Sequence, residues 1–188
     1  MDLKEQFEST ARRSIEREGI EDLLKWLADS DFYTAPASTR YHGAYEGGLA
    51  EHSLAVYRRL TELCDWYGPG QGATPESIAI VSLFHDICKV GTYKVAMRNA
   101  KNEKTGVWEK VPYYTKQEDF AFGGHGSKSM YLVMHFMKLT PEEAVAINCH
   151  MGQWDSTVYS NPSEAYEQNR LAWLLHVADE AATYINKT

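Results

Sequence analysis

The run Ile80-Val81-Ser82-Leu83-Phe84-His85-Asp86-Ile87-Cys88-Lys89 sets a histidine beside an aspartate inside an otherwise apolar helical segment. An imidazole and a carboxylate buried there without partners would cost several kcal/mol by about the scale of unpaired polar burial. A chain with this run must therefore bring polar partners to it from elsewhere. Candidates stand at His52 before the run and at His125, His150 and Asp179 after it. Together they read as a two-metal site.

The segments carrying these residues repeat the conflict between apolar face and polar side chain. From Leu49 to Leu63 the stripe Leu49, Val56, Leu60, Leu63 has helical spacing, and His52 lies on it, so His52 is expected to point inward. Near the C-terminus Leu171, Leu175, Asp179 and Ala182 share one face, which turns a carboxylate toward the core. One histidine on such a stripe is commonly a hydrogen-bonded core residue, and one inward aspartate a tie between helices. The joint pattern of four His and two Asp delivered by separate helices is what points to metal.

These residues resemble the pattern of the HD superfamily of metal-dependent phosphohydrolases, in which a His, a His-Asp pair and a distant Asp hold the metal. Here they are His52, His85-Asp86 and Asp179. Gly47-Gly48-Leu49-Ala50-Glu51-His52-Ser53 looks like the first-His segment of that family. His85-Asp86-Ile87-Cys88-Lys89 looks like its central motif, with Cys88 where Gly is common, and Leu175-His176-Val177-Ala178-Asp179 resembles its closing segment. The likeness covers about residues 40 to 185 and implies an all-α HD-domain helical bundle.

Two further histidines refine the placement. Gly123-Gly124-His125-Gly126 precedes a helix and His150-Met151-Gly152 closes another, where binuclear branches of the superfamily supply a second-metal ligand. The resemblance thus implies two divalent ions (Fe, Mn, Ni, Zn or Mg). One would be held by His52, His85, Asp86 and Asp179; Asp86 would bridge to the other, held by His125 and His150. The catalytic half of the 3′-to-5′ exoribonucleases that pair an OB fold with an HD domain looks nearest, although this chain has no room for the OB fold. The absence of Gly-Tyr-Pro after His150 is unlike the cyclic-di-GMP phosphodiesterase branch.

With 188 residues, 44% of them hydrophobic, one domain spanning 1–188 is expected, its first 39 residues forming N-terminal helices. No apolar stretch reaches the roughly 18 residues of a membrane span, and the N-terminus lacks the layout of a signal peptide. A cytoplasmic location without membrane attachment is the expectation. Cys64, Cys88 and Cys149 are odd in number and lack Cys-x-x-Cys spacing, so no disulfide framework is expected. Cys149, next to His150, reads as a small buried hydrophobe.

Helix signals run through the chain. Leu3, Phe7, Ala11 and Ile15 mark an amphipathic first helix ended by Gly19, and a short second helix follows from Ile20 to Ala28. Gly68-Pro69-Gly70 ends the His52 helix and Thr74-Pro75 opens the His85 helix. Thr140-Pro141-Glu142-Glu143 is a capping box, and Asn161-Pro162 opens the last helix. Between Thr92 and Phe122 the period changes: Tyr93 to Met97, a polar turn over Asn102 to Gly106, and Val107 to Val111 read as an inserted β-hairpin. Pinned between the metal motif and His125, the hairpin is expected to form a wall or lid of the site. Lys94, Arg98, Lys101, Lys104, Lys110 and Lys116 face Glu103, Glu109, Glu118 and Asp119 there, a balance of +2 in a chain of net −7. A solvated hairpin face and an anionic-substrate role explain that balance equally well.

A two-ion site makes hydrolysis of a phosphate ester the natural reaction, with Asp86 at its centre. Lys89, one turn beyond His85, is expected to pair with a phosphate oxygen; Lys128 has the same expected role, and Arg40 and His42 lie in the loop before the His52 helix as candidate pocket residues. Glu51 and His176 are candidates for orienting a ligand or a water. Net charge −7 and pI near 5.5 disfavour long nucleic acid, which needs many Lys and Arg contacts to phosphate. The expected substrate is small, anionic and phosphate-containing: a nucleotide or short oligonucleotide, its base stacked on Trp108, Tyr113, Tyr114 or Trp154. Two other readings stand beside this one. Some HD-fold proteins with similar ligands carry a di-iron centre and oxidise substrate with dioxygen, and a non-catalytic nucleotide-binding module would keep the fold.

Overall fold

A computed structural model describes residues 2–117, 120, 122–154 and 162–185. The chain runs α1 (Leu3–Ser14), α2 (Ile20–Ala28), α3 (Gly48–Tyr67), α4 (Pro75–Phe84), a 3₁₀ turn (Ile87–Lys89), β1 (Tyr93–Lys101), β2 (Trp108–Lys116), α5 (His125–Phe136), α6 (Pro141–Cys149), a second 3₁₀ turn (Gly152–Trp154), α7 (Ser163–Gln168) and α8 (Arg170–Tyr184). It is the helical fold with a two-stranded hairpin that the sequence leads one to expect.

The helix starts follow their caps. Thr74 accepts from Ser77 N–H at 3.1 Å ahead of Pro75. The Thr140 hydroxyl accepts from Glu143 N–H while the Glu143 carboxylate accepts from Thr140 N–H, satisfying two donors that a bare helix end would leave open. Two boundaries differ from expectation. α1 stops at Ser14, and Gly19 caps α2 rather than ending α1. Pro162 precedes only the short α7, and the helix carrying Asp179 starts afresh at Asn169, whose side chain accepts from Ala172 N–H; Asn161 lies outside the described residues.

α4 is buried on every side from Ser77 to Phe84, so it forms the centre of the bundle. α3 packs on α4 and α8, α6 on α8 and α5, and α5 on the 3₁₀ turn that follows α4. One apolar cluster runs from Phe7, Leu23, Leu24 and Phe32 through Leu60, Leu83 and Phe84 to Leu171 and Leu175, so the N-terminal helices share its core. An ion network reinforces the join. Arg17, between α1 and α2, donates to both oxygens of the fully buried Glu143 (2.5 and 3.0 Å), to Glu76 at 2.9 Å and to the Lys138 carbonyl at 3.1 Å.

The hairpin is antiparallel in register Tyr93↔Lys116 to Lys101↔Trp108, inside the segment from Thr92 to Phe122, with strands that run on past Met97 and Val111, where the sequence pattern ended them. Its base is tied to the bundle: the Thr92 hydroxyl donates to the Cys88 carbonyl and Gln117 N–H to the Thr92 carbonyl. Beyond that base the strands pack mainly on each other, and Val95, Met97 and Trp108 are exposed.

Candidate metal centre

The His85-Asp86 pair sits at a helix break rather than inside a helix. α4 ends at Phe84, His85 is its C-cap, and Asp86 (φ −114°, ψ 16°) leads into the 3₁₀ turn. The Ser82 carbonyl, left open by the helix end, accepts from His85 Nδ1–H at 2.8 Å. A carbonyl only accepts, so the proton is on Nδ1 and the Nε2 lone pair faces inward. α6 repeats the device: His150 is its C-cap, and its Nδ1–H donates to the Ile147 carbonyl at 2.8 Å. The His150 carbonyl accepts from His176 Nδ1–H at 2.7 Å, and His176 stacks on Tyr166 at 5.6 Å. His176 thus holds the backbone of His150 rather than its ring.

Two glycines let these pieces approach. A Cβ on Gly126 would stand 2.1 Å from the Asn148 carbonyl oxygen, so only glycine lets the start of α5, with His125, meet the end of α6, with His150. A Cβ on Gly48 would stand 2.1 Å from the Gly43 carbonyl oxygen. That contact seats the loop bearing His42 on the first turn of α3, with the His42 and His52 rings 4.8 Å apart. The rings continue from His52 to His85 at 5.4 Å and from His85 to His150 at 4.9 Å.

Asp86 is the hub. Its Oδ2 lies 3.5 Å from His85 Nε2, 3.8 Å from His52 Nε2 and 2.5 Å from Lys89 Nζ, while its Oδ1 lies 3.6 Å from His150 Nε2. Asp179 Oδ1 stands 3.0 Å from His52 Nε2 and 3.9 Å from His85 Nε2. His52, His85, Asp86, His150 and Asp179 are all buried. Yet among the described residues His52 Nε2, His85 Nε2, His150 Nε2, His125 Nδ1, Asp86 Oδ1 and both ring nitrogens of His42 have no partner in hydrogen-bond geometry. Buried polar atoms are nearly always satisfied. So many orphaned donor atoms turned toward one another fit cations as their common partner, and the Lys89 ammonium already supplies one positive charge at Asp86.

Apart from His85, the electrostatics agree with that fit. Burial would raise the Asp86 carboxyl, but Lys89 and His85 overcome it and hold the group well below its usual range. Asp179 is held low as well: burial opposes ionisation, and His52 outweighs it. Burial pushes His52 and His125 down, and His42 down to about 4, so these rings are neutral near pH 7 with a lone pair available. At His85, burial opposes the charged form, but Asp86 and Asp179 carry the pKa above its ordinary value.

Three sets of donor atoms lie within 4.8 Å of one another: His52, His85 and Asp86; His85, His150 and Asp179; and Asp86, Cys88 and His125. All six residues expected as ligands fall in these sets, and Cys88, not expected there, joins them. Its signal in the sequence was its place two residues after Asp86. Lys89 is 7% exposed, with its charge on Asp86, so it meets a member of the ligand set directly. Other expected site residues are placed differently. Lys128 Nζ lies 4.4 Å above the Phe120 ring, and its charge bears on Cys88. Arg40 is exposed and sits over the Tyr41 ring, and Glu51 accepts from the Tyr45 hydroxyl at 2.9 Å. Trp108 and Trp154 are exposed, and Tyr113 lies under Arg98.

A helical bundle whose centre is a nest of inward histidines and aspartates defines a metal-binding protein with hydrolase-type ligands. The HD domain model matches residues 49–184, and the chain belongs to the HD family of metal-dependent phosphohydrolases. No curated protein and no solved structure matches the chain. The match is to the family as a whole and does not reach the exoribonuclease branch. Among the described residues no helix is long and apolar enough to cross a membrane.

Proposed function

We propose that this protein hydrolyses a phosphate ester of a nucleotide or short oligonucleotide at two divalent ions. One ion would be held by His52, His85, Asp86 and Asp179, and the second by Asp86, His125 and His150. The observation that carries this reading is Asp86, whose two oxygens face different histidines, Oδ2 toward His52 and His85 and Oδ1 toward His150. A carboxylate so placed is built to bridge.

When bound, such ions lower the pKa of a bound water toward neutrality and offset charge on the leaving oxygen. The protein's own groups do the rest. The helix-end carbonyls of Ser82 and Ile147 fix the tautomers of His85 and His150, so both rings stay donors without reorganising. Lys89, buried beside Asp86, brings a permanent positive charge to the place where phosphoryl oxygens would collect. His42, beside His52 and with both nitrogens unpartnered among the described residues, is positioned to accept a hydrogen bond from water or substrate. The same proposal places the protein in the cytoplasm.

The test is a panel of nucleotides, cyclic nucleotides and short oligonucleotides incubated with manganese-, nickel- or iron-loaded protein, with and without oxygen. Phosphate or nucleoside monophosphate release that persists anaerobically is the expected result. Turnover that stops without oxygen would replace the hydrolase reading with a di-iron oxygenase.

A further inference from the structure

We propose that the second ion has a sulfur ligand, the Cys88 thiolate, alongside Asp86 and His125. The inference rests on the two-ion reading above and goes beyond it in naming a soft donor, and with it the class of ion the position selects.

The turn Ile87–Lys89 brings Cys88 Sγ, an Asp86 carboxylate oxygen and a His125 ring nitrogen within 4.8 Å of one another. Ligands of a tetrahedral ion at metal distances of about 2.0 to 2.3 Å stand about 3.3 to 3.8 Å apart, so only a small inward movement would close this set. The neighbouring atoms point to a ligand independently. Among the described residues Asp86 Oδ1, on a residue 2% exposed, and His150 Nε2, on a residue fully buried, lack partners 3.6 Å from each other, and His125 Nδ1 is likewise unsatisfied. A cysteine serving only as a small hydrophobe has no reason to stand among orphaned polar atoms.

Cys64 and Cys149 supply the contrast. Both are buried and free, yet neither falls in a donor cluster among the described residues. Other uses of Cys88 fit less well. It is 4% exposed, which leaves its sulfur out of reach of a substrate but within reach of an ion held among the neighbouring donor atoms. On coordination the S–H bond breaks, the proton leaves to bulk water, and the sulfur lone pair bonds to the ion with no change of oxidation state. Ser129, fully buried, already fixes the Cys88 backbone through Cys88 N–H to Ser129 Oγ at 3.2 Å. A thiolate favours zinc, cobalt or ferrous iron over magnesium, so the second position would reject the commonest hard cation.

The test uses the full chain as the Cys64→Ser/Cys149→Ser double variant, which keeps Cys88 as its single thiol. After stripping with a chelator it is loaded with Co²⁺, and ion content and near-ultraviolet absorption are measured. Two cobalt ions per chain with a thiolate-to-cobalt charge-transfer band are expected, and adding Cys88→Ser should abolish the band. Two ions without the band, or a band that survives Cys88→Ser, would overturn the sulfur ligand and leave the two-ion reading standing. Fewer than two ions would overturn both. Should the Cys88→Ser protein fail to fold by circular dichroism, X-ray absorption of the zinc-loaded double variant decides: sulfur at about 2.3 Å in the first shell is the expected result, and a first shell of nitrogen and oxygen alone overturns the inference.

Discussion

His85 and His150 end two different helices in the same way: each is a C-cap residue with φ −57°, and each donates its Nδ1–H to the carbonyl three residues back at 2.8 Å. The helix end, which leaves carbonyls open, is used twice to aim an imidazole. Their Nε2 atoms arrive on opposite oxygens of Asp86, at 3.5 Å from Oδ2 and 3.6 Å from Oδ1.

On the two-ion reading Asp86 carries both halves of the site, and Asp86→Ala should remove both ions. Metal quantification on purified wild-type and variant protein reads this directly. His125→Ala should lose mainly one ion and keep the other. Full metal content in Asp86→Ala would refute the bridging role.

Gly126 should prove as sensitive as a ligand. The alanine methyl of Gly126→Ala would overlap the Asn148 carbonyl oxygen, 2.1 Å from the added Cβ, and force α5 away from α6. The expected outcome is loss of the second ion with the first retained, and helical content unchanged by circular dichroism. An unchanged stoichiometry of two would show that His125 does not depend on that approach.

Lys89→Met should bind metal at least as well as the wild type, because the ammonium 2.5 Å from Asp86 Oδ2 competes with an ion for that oxygen. Hydrolysis should nonetheless fall roughly tenfold to a hundredfold, the worth of a charge-assisted contact of about 1.5 to 3 kcal/mol to the phosphoryl oxygens. Equal turnover in both proteins would leave Lys89 a structural ion pair.

Arg17→Met tests the tie between the N-terminal helices and the bundle. Its partner Glu143 is fully buried, and losing the guanidinium would strand that carboxylate. Breaking a buried pair costs about 3 to 5 kcal/mol, and since the Arg17 side chain keeps 19% exposure the lower end is expected. Urea unfolding measures it, and a loss below about 1 kcal/mol would mean that Glu143 finds other compensation.

Removing metal should destabilise the fold, since bound ions would satisfy donor atoms that have no partner among the described residues. Ligand linkage gives about 2.7 kcal/mol at a hundredfold excess over the dissociation constant. Calorimetry with and without chelator should show the transition moving down when metal is stripped. An identical transition would imply that the site is filled by some other means.

The sequence by itself determined what depends on local chemistry. Helix starts at Thr74-Pro75 and Thr140-Pro141 follow from side chains that reach only three residues, the hairpin from a change of period, and the inward turn of His52 and Asp179 from the face they share with leucines. Three-dimensional packing decided the rest. The pattern of an apolar run cannot reveal that α4 stops at Phe84, because the break is stabilised by His85 folding back on Ser82 and by what Asp86 meets across the bundle. Lys89 stands out in the sequence as a phosphate partner, but only the turn shows that its ammonium lies on Asp86. Cys88 joins the donor cluster only when α5 docks against that turn, and Arg17 finds Glu143 across 126 residues of chain. Contacts between residues far apart in sequence carry no local signature, so tertiary structure alone determined which polar side chains met and which stayed in solvent.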